Sequence, residues 1–323
     1  MKKWIWILVL LGGMEDTPGK TSQKPAGDQQ KNRDNEEKAA PVQIPGSVEF
    51  IADIEFGDGG GKPLLMNVAR ARRPGSEPLP AVLWAHGGGW KAGSKDGHTD
   101  KLIHLATNGF VSASIDYRLS GEAPFPAAIE DCKCAVRFLR ANAAKYGINP
   151  ARIGAWGGSA GDHLVELLGV TTEEDKLEGS GGWSGGSSRV QAVCSWYGPA
   201  DLANLNGEKE WDKVKENSEG IVRFLGGKLS EKPELYKQAS PISHVSPDDP
   251  PFLLMHGDQD TTVPVWQSEV MAKALKSKGV PVELIVVTNA GHIFRKVESG
   301  EASLSHEQRM QIALDFFRRT LKR

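Results

Sequence analysis

The 323-residue sequence has no surplus of positive charge. Its 39 Lys and Arg stand against 41 Asp and Glu, a net charge of −2 with His neutral, which leaves nothing to grip a phosphate backbone or an anionic membrane surface. Nucleic acid is excluded as a partner. Cysteine is scarce: three residues cannot build a disulfide framework, and the pair Cys132 and Cys134 has no second pair or histidine at zinc-ligand spacing. They read as buried free thiols, and no metal is expected. A run able to cross a bilayer is missing as well, since Trp4 to Leu11 falls far short of the roughly 20 residues a spanning helix needs.

What the first residues do have is a short apolar run behind Lys2 and Lys3, the pattern of a secretory signal over residues 1–13. Gly12 and Gly13 are small, but no A-x-A pattern follows. The expectation is a secreted or periplasmic protein. Residues 14–41 are rich in Lys, Asp, Glu, Gln, Asn, Gly and Pro with almost nothing apolar, so they cannot offset their own ordering entropy and read as a disordered linker. Residues 42–323 are expected to form one catalytic domain, since 39% hydrophobic residues suffice for one large core.

Eight β-rich runs recur at Val48 to Phe56, Leu64 to Val68, Ala81 to Ala85, Phe110 to Tyr117, Arg152 to Trp156, Val190 to Tyr197, Phe252 to Met255 and Val282 to Val287. Helical patterns cover Thr99 to Thr107, Ala127 to Lys145, Ala160 to Leu168, Val265 to Lys278 and about Ser305 to Leu321. Such alternation predicts an α/β fold, a mainly parallel eight-stranded sheet with helices on both faces. Its reactive groups belong on loops at the carboxyl ends of strands. Residues 201–245, charged and punctuated by Pro and Gly, read as a small insertion over the site.

G-x-S-x-G occurs twice, at Gly157 to Gly161 around Ser159 and at Gly182 to Gly186 around Ser184. Chance alone gives the pattern about 0.3 times in a chain of this composition, so context must separate the copies. Ser159 has a strand before it and a helix after it, as a nucleophile elbow requires. Ser184 sits in a Gly/Ser-rich run followed by a strand and reads as a loop residue. The run His86-Gly87-Gly88-Gly89-Trp90 leaves the strand Ala81 to Ala85. Its glycines let backbone N–H groups approach an oxyanion, so Gly88, Gly89 and Ala160 are the expected donors.

A serine nucleophile needs a base, and the base needs a carboxylate. Among eight histidines, His292 follows the last strand and precedes the closing helix, which lets it reach the elbow; His256, at a strand end, reads as structural. Asp258 and Asp260 both follow the strand Phe252 to Met255. Asp260 is preferred because its turn runs on into Val263-Pro264 and a helix, leaving Asp258 to brace the loop.

The elements HGGGWKAG, DYRLS, GGSAGDHL, WYGPADL, HGDQDTTVP and NAGH, in this order, resemble the α/β-hydrolase superfamily, and within it serine carboxylesterases of the hormone-sensitive-lipase-like and bacterial feruloyl or acetylxylan esterase-like branches. The resemblance implies an ester hydrolase with Ser159, Asp260 and His292 as nucleophile, acid and base, no cofactor, and a small-molecule or polysaccharide-linked ester as substrate. Asp162 departs from the family's glycine; in the first turn of the elbow helix it is expected as a dipole-favoured carboxylate, placing a charge near the pocket. Prolyl-oligopeptidase-type peptidases share this core but carry a large gating domain, and a non-catalytic binding protein on the scaffold would show an eroded site. These are the alternative readings. Trp90, Trp183, Trp196 and Trp266 are candidate substrate-binding residues.

Overall fold

The computed structural model describes residues 42–73, 75–203, 219–298 and 300–322. The signal-like run, the linker and residues 204–218 of the insertion lie outside the described residues. Eight strands, β1 (Val48–Asp58), β2 (Pro63–Ala71), β3 (Leu79–Ala85), β4 (Val111–Ile115), β5 (Ile148–Gly158), β6 (Val193–Trp196), β7 (Phe252–Gly257) and β8 (Val282–Val287), form one sheet in the order β1-β2-β4-β3-β5-β6-β7-β8. β1 and β2, and β2 and β4, pair antiparallel; all other pairs are parallel.

Strand β3 shows how the sheet divides the core. Ala81, Leu83 and Ala85 belong to one hydrophobic cluster and Val82 and Trp84 to another, because successive side chains point to opposite faces. The first face is covered by the helices Ala127–Ala141, Ala160–Val170 and Trp266–Ser277, the second by Thr99–Thr107 and His306–Leu321. The closing helix starts at a capping box in which Ser305 and Gln308 satisfy each other's backbone N–H.

The expected helix Ala127 to Lys145 ends at Ala141 and is followed by the separate turn Ala143–Tyr146, with Gly147 in a left-handed conformation closing it. Two short helices inside the insertion, Glu219–Leu225 and Pro233–Gln238, are absent from the sequence-based expectation. Their apolar faces are too short to show a period. The loop carrying Ser184 is pinned by the buried Lys133 and Arg137, whose charged ends lie 2.7 and 2.5 Å from Glu178. Ser184 itself is exposed there.

Candidate active site

Strand β5 ends at Gly158, and the chain reverses through Ser159 (φ 56°, ψ −121°) into the helix Ala160–Val170. Neither motif glycine can be replaced. A Cβ on Gly157 would sit 2.3 Å from the Gly161 carbonyl oxygen, and one on Gly161 would sit 2.1 Å from that of Ala85. The elbow is therefore folded against both its own helix and β3, with the Ser159 N–H donating to the Trp196 carbonyl at 2.9 Å.

Ser159 Oγ lies 2.9 Å from His292 Nε2, and His292 Nδ1 lies 2.6 Å from Asp260 Oδ2. The Asp260 side chain is wholly buried, and the N–H groups of Thr262 and Val263 donate to its Oδ1 at 2.8 and 2.9 Å. Burial opposes ionisation, but hydrogen bonds from His256 and His292, the charge His292 can carry and the Val263 N–H outweigh it, holding Asp260 well below the usual carboxylate range. An ionised carboxylate only accepts, so Nδ1 carries a hydrogen, and in a neutral ring Nε2 is left free to accept the Ser159 proton. His256 stands behind this pair, buried, with Nδ1 2.7 Å from Ser268 Oγ and Nε2 2.8 Å from the Val263 carbonyl oxygen. Asp258 accepts from the Ala290 N–H at 3.3 Å, so it ties its turn to the loop that carries His292.

The N–H groups of Gly88 and Gly89 donate to no acceptor among the described residues. Ala160 opens its helix, where an N–H has no intrahelical acceptor. Two cavities meet here. Both are lined by Gly89, Ser159 and Thr262; the larger, about 430 Å³, adds His292, Trp84 and Ile293, while the smaller, about 260 Å³, adds Ala160, Trp90, Pro199, Ile221 and Val263. Trp90 is fixed: its ring stacks on Phe224 of the helix Glu219–Leu225 at 4.4 Å, and its N–H donates to His163 Nδ1 at 3.3 Å. Burial lowers the His163 pKa to about 4, so the ring stays neutral and donates from Nε2 to the Ala239 carbonyl at 2.7 Å.

The other expected tryptophans are placed elsewhere. Trp183 donates to the Phe56 carbonyl and packs edge-on against Phe138. Trp196 packs against Trp156 and Phe294, and Trp266 is buried in the core. The indoles of Trp196 and Trp266 fill space between sheet and helices, whereas Trp183 is 42% exposed on its loop. Trp84 and His98, by contrast, line the larger cavity without having been expected there. A signal was available for Trp84: it is the second-last residue of β3, two residues before His86 and the glycine run. For His98, burial and the nearby Lys101 charge lower the pKa to about 4.

Asp162 corrects an expectation. It is fully buried, turned away from the cavities, and accepts from the Gly198 N–H; Glu166, one helical turn on, accepts from Ser195 Oγ at 3.0 Å. Burial raises the Asp162 pKa to about 8 and, with the neighbouring Asp162, raises Glu166 well above its usual range. A helix N-terminus favours a carboxylate by only about 0.3–1 kcal/mol, against several kcal/mol for burying the charge. Asp162 is held protonated near neutrality and places no charge in the pocket.

Residues 70–275 match the BD-FAE family. The chain belongs to the BD-FAE family. Its fold is that of the α/β-hydrolases. Esterase LipQ of Mycobacterium tuberculosis is 33% identical over 245 residues, which are 75% of this chain and 57% of LipQ; the chain thus spans a little over half the length of the curated relatives it matches. Among solved structures, a truncated carbohydrate esterase from gut microbiota superposes with a TM-score of 0.72 at 27% identity, covering 85% of this chain and 97% of that one. The esterase Est2 of the Planctomycetes species Thermogutta terrifontis, with propionate bound, gives 0.69 at 25% identity, covering 85% and 95%. Among the described residues of this BD-FAE chain, no helix is long and apolar enough to cross a membrane, and no group of His, Cys, Asp and Glu is arranged to hold a metal ion.

Proposed function

We propose that the protein hydrolyses carboxylic esters through an acyl-enzyme on Ser159. The observation that carries this reading is the unbroken chain from Ser159 Oγ through His292 to the buried Asp260, set beside unpaired N–H groups. In this mechanism His292 Nε2 takes the Oγ proton as Ser159 attacks the carbonyl carbon. Asp260 holds the ring and stabilises its charged form, and the Gly88, Gly89 and Ala160 N–H groups receive the oxyanion. His292 then gives the proton to the departing alcohol oxygen. Water, deprotonated by the same imidazole, releases the acid.

The acyl group enters the smaller cavity. The alcohol must leave on the side of the proton donor, and His292 lines the larger cavity and not the smaller one. Walls of Trp90, Pro199, Ile221 and Val263 suit a short acyl chain, so acetyl and other short-chain esters, including acetyl side chains of plant polymers, are the proposed substrates. The names of the relatives support the reading: one is an esterase, one a carbohydrate esterase, one an esterase holding propionate. The run Trp4 to Leu11 behind two lysines supports export to the place where such polymers are met.

A substrate panel tests this. Purified protein is expected to cleave p-nitrophenyl acetate and butyrate and acetylated xylan, to act less well on methyl ferulate, and to leave an aminoacyl p-nitroanilide almost untouched. Amide cleavage equal to ester cleavage would turn the reading to a peptidase. Folded protein inert on every ester would turn it to a binding protein.

A further inference from the structure

His292, Ile293 and Phe294 form a single turn pinned at both ends. His292 is held by Ser159 and Asp260. Phe294 is buried against Trp196 at 5.4 Å and Tyr197 at 4.8 Å, with the Arg309 guanidinium 4.6 Å above its ring. Between them Ile293 takes φ 62° and ψ 21°, a left-handed conformation in which a β-branched side chain is an outlier. Glycine or asparagine would adopt it with less strain.

No packing compensates for this choice. Ile293 is 50% exposed and belongs to neither hydrophobic cluster, yet it lines the larger cavity together with His292, Trp84 and Tyr197. An apolar, stiff side chain is thus held half in water at the mouth of the cleft. The step that bears on it is the collapse of the tetrahedral intermediate. There the electron pair of the breaking C–O bond passes to the alcohol oxygen, which takes the proton from His292 Nε2. The alcohol must therefore lie on the Ile293 side.

We propose that Ile293 is a specificity-determining residue for the alcohol portion of the ester: its half-exposed side chain, in the cavity that the buried Trp84 and Tyr197 also line, is an apolar face that favours alcohols presenting the flat apolar face of a six-membered ring. This rests on the ester-hydrolase reading above and extends it to the leaving group. A strained residue beside the base keeps its branched side chain because ring-bearing substrates pack on it.

Benzyl acetate and ethyl acetate test the idea, since both leave the same acetyl-enzyme and differ in the alcohol. Their kcat/KM values are measured for the wild type and for Ile293→Gly, Ile293→Asn and Ile293→Leu. The benzyl-to-ethyl ratio is expected to fall about tenfold in the Gly and Asn variants, as removal of a few apolar carbons from a specificity pocket does. It should do so chiefly through KM, and the Leu variant should restore it. The melting temperature of Ile293→Gly is expected to equal or exceed that of the wild type, because the left-handed backbone suits glycine. An unchanged ratio in both variants, or equal losses on both esters with a lowered melting temperature, would overturn the proposal while leaving ester hydrolysis standing. Wild-type protein inactive on both esters would instead sink the reading beneath it.

Discussion

Asp162 shows how one residue's surroundings override its local preference. Its position in the first helical turn favours a negative charge, but its carboxyl lies in the packed space under Gly198, where a Cβ would come within 2.5 Å of the Asp162 carboxyl carbon. A carboxyl whose pKa is raised on folding contributes stability that is fully present below its ordinary range, near 4, and is lost as pH rises through about 8. Asp162→Asn cannot ionise and still accepts from the Gly198 N–H. We expect the variant to melt close to the wild type at pH 5 and to be more stable than it by about 3 °C or more at pH 9. Thermal unfolding followed by circular dichroism across that range measures this, and parallel curves would contradict a buried protonated Asp162.

At the scale of elements, the candidate site depends on four turns at strand ends: the glycine run after β3, the elbow after β5, and the paired turns after β7 and β8 that carry Asp260 and His292. The elbow was legible in the sequence because sterics leave little freedom there; glycine stands at both positions where a Cβ would strike backbone. The strands were legible as well, and for β3 to β7 the reason is that buried strands of a mainly parallel sheet read as apolar runs. The insertion's helices were not, because Glu219–Leu225 buries only Ile221, Phe224 and Leu225. Nor could the sequence separate tryptophans that line a cavity from those that fill the core, because a strand buried on both faces, as β6 is, carries no alternation to orient them.

The choice between Asp258 and Asp260 belongs to this scale too, since it concerns two ends of one turn. Asp260→Asn is expected to lower kcat by about 10⁴ through loss of the oriented imidazole. Asp258→Asn weakens only the brace to Ala290 and should lower kcat less than about tenfold while reducing the melting temperature. Steady-state kinetics with p-nitrophenyl acetate, with folding checked for each variant, distinguishes them; a folded but inactive Asp258→Asn would reverse the two roles.

Over the whole molecule, the sheet acts as a frame that brings residues from four loops to one end. Ser159 and His292 are 133 residues apart in sequence and 2.9 Å apart in space, and no helical or strand period encodes that approach. It follows from the parallel order β3-β5-β6-β7-β8, which places every carboxyl end in that part of the sheet on the same side. The two cavities inherit their division from the same frame, one facing the His292 turn and the other the insertion.

Covalent labelling of the nucleophile shows whether Ser159 attacks the ester. The full chain is treated with a fluorophosphonate, and the adduct is located by peptide mass spectrometry in the wild type, Ser159→Ala and Ser184→Ala. One label per chain is expected on the peptide containing Ser159, absent from Ser159→Ala and undiminished in Ser184→Ala, with kcat on p-nitrophenyl acetate lowered about 10⁶-fold in the former alone. A label on Ser184, or undiminished labelling of a folded Ser159→Ala, would contradict that role for Ser159.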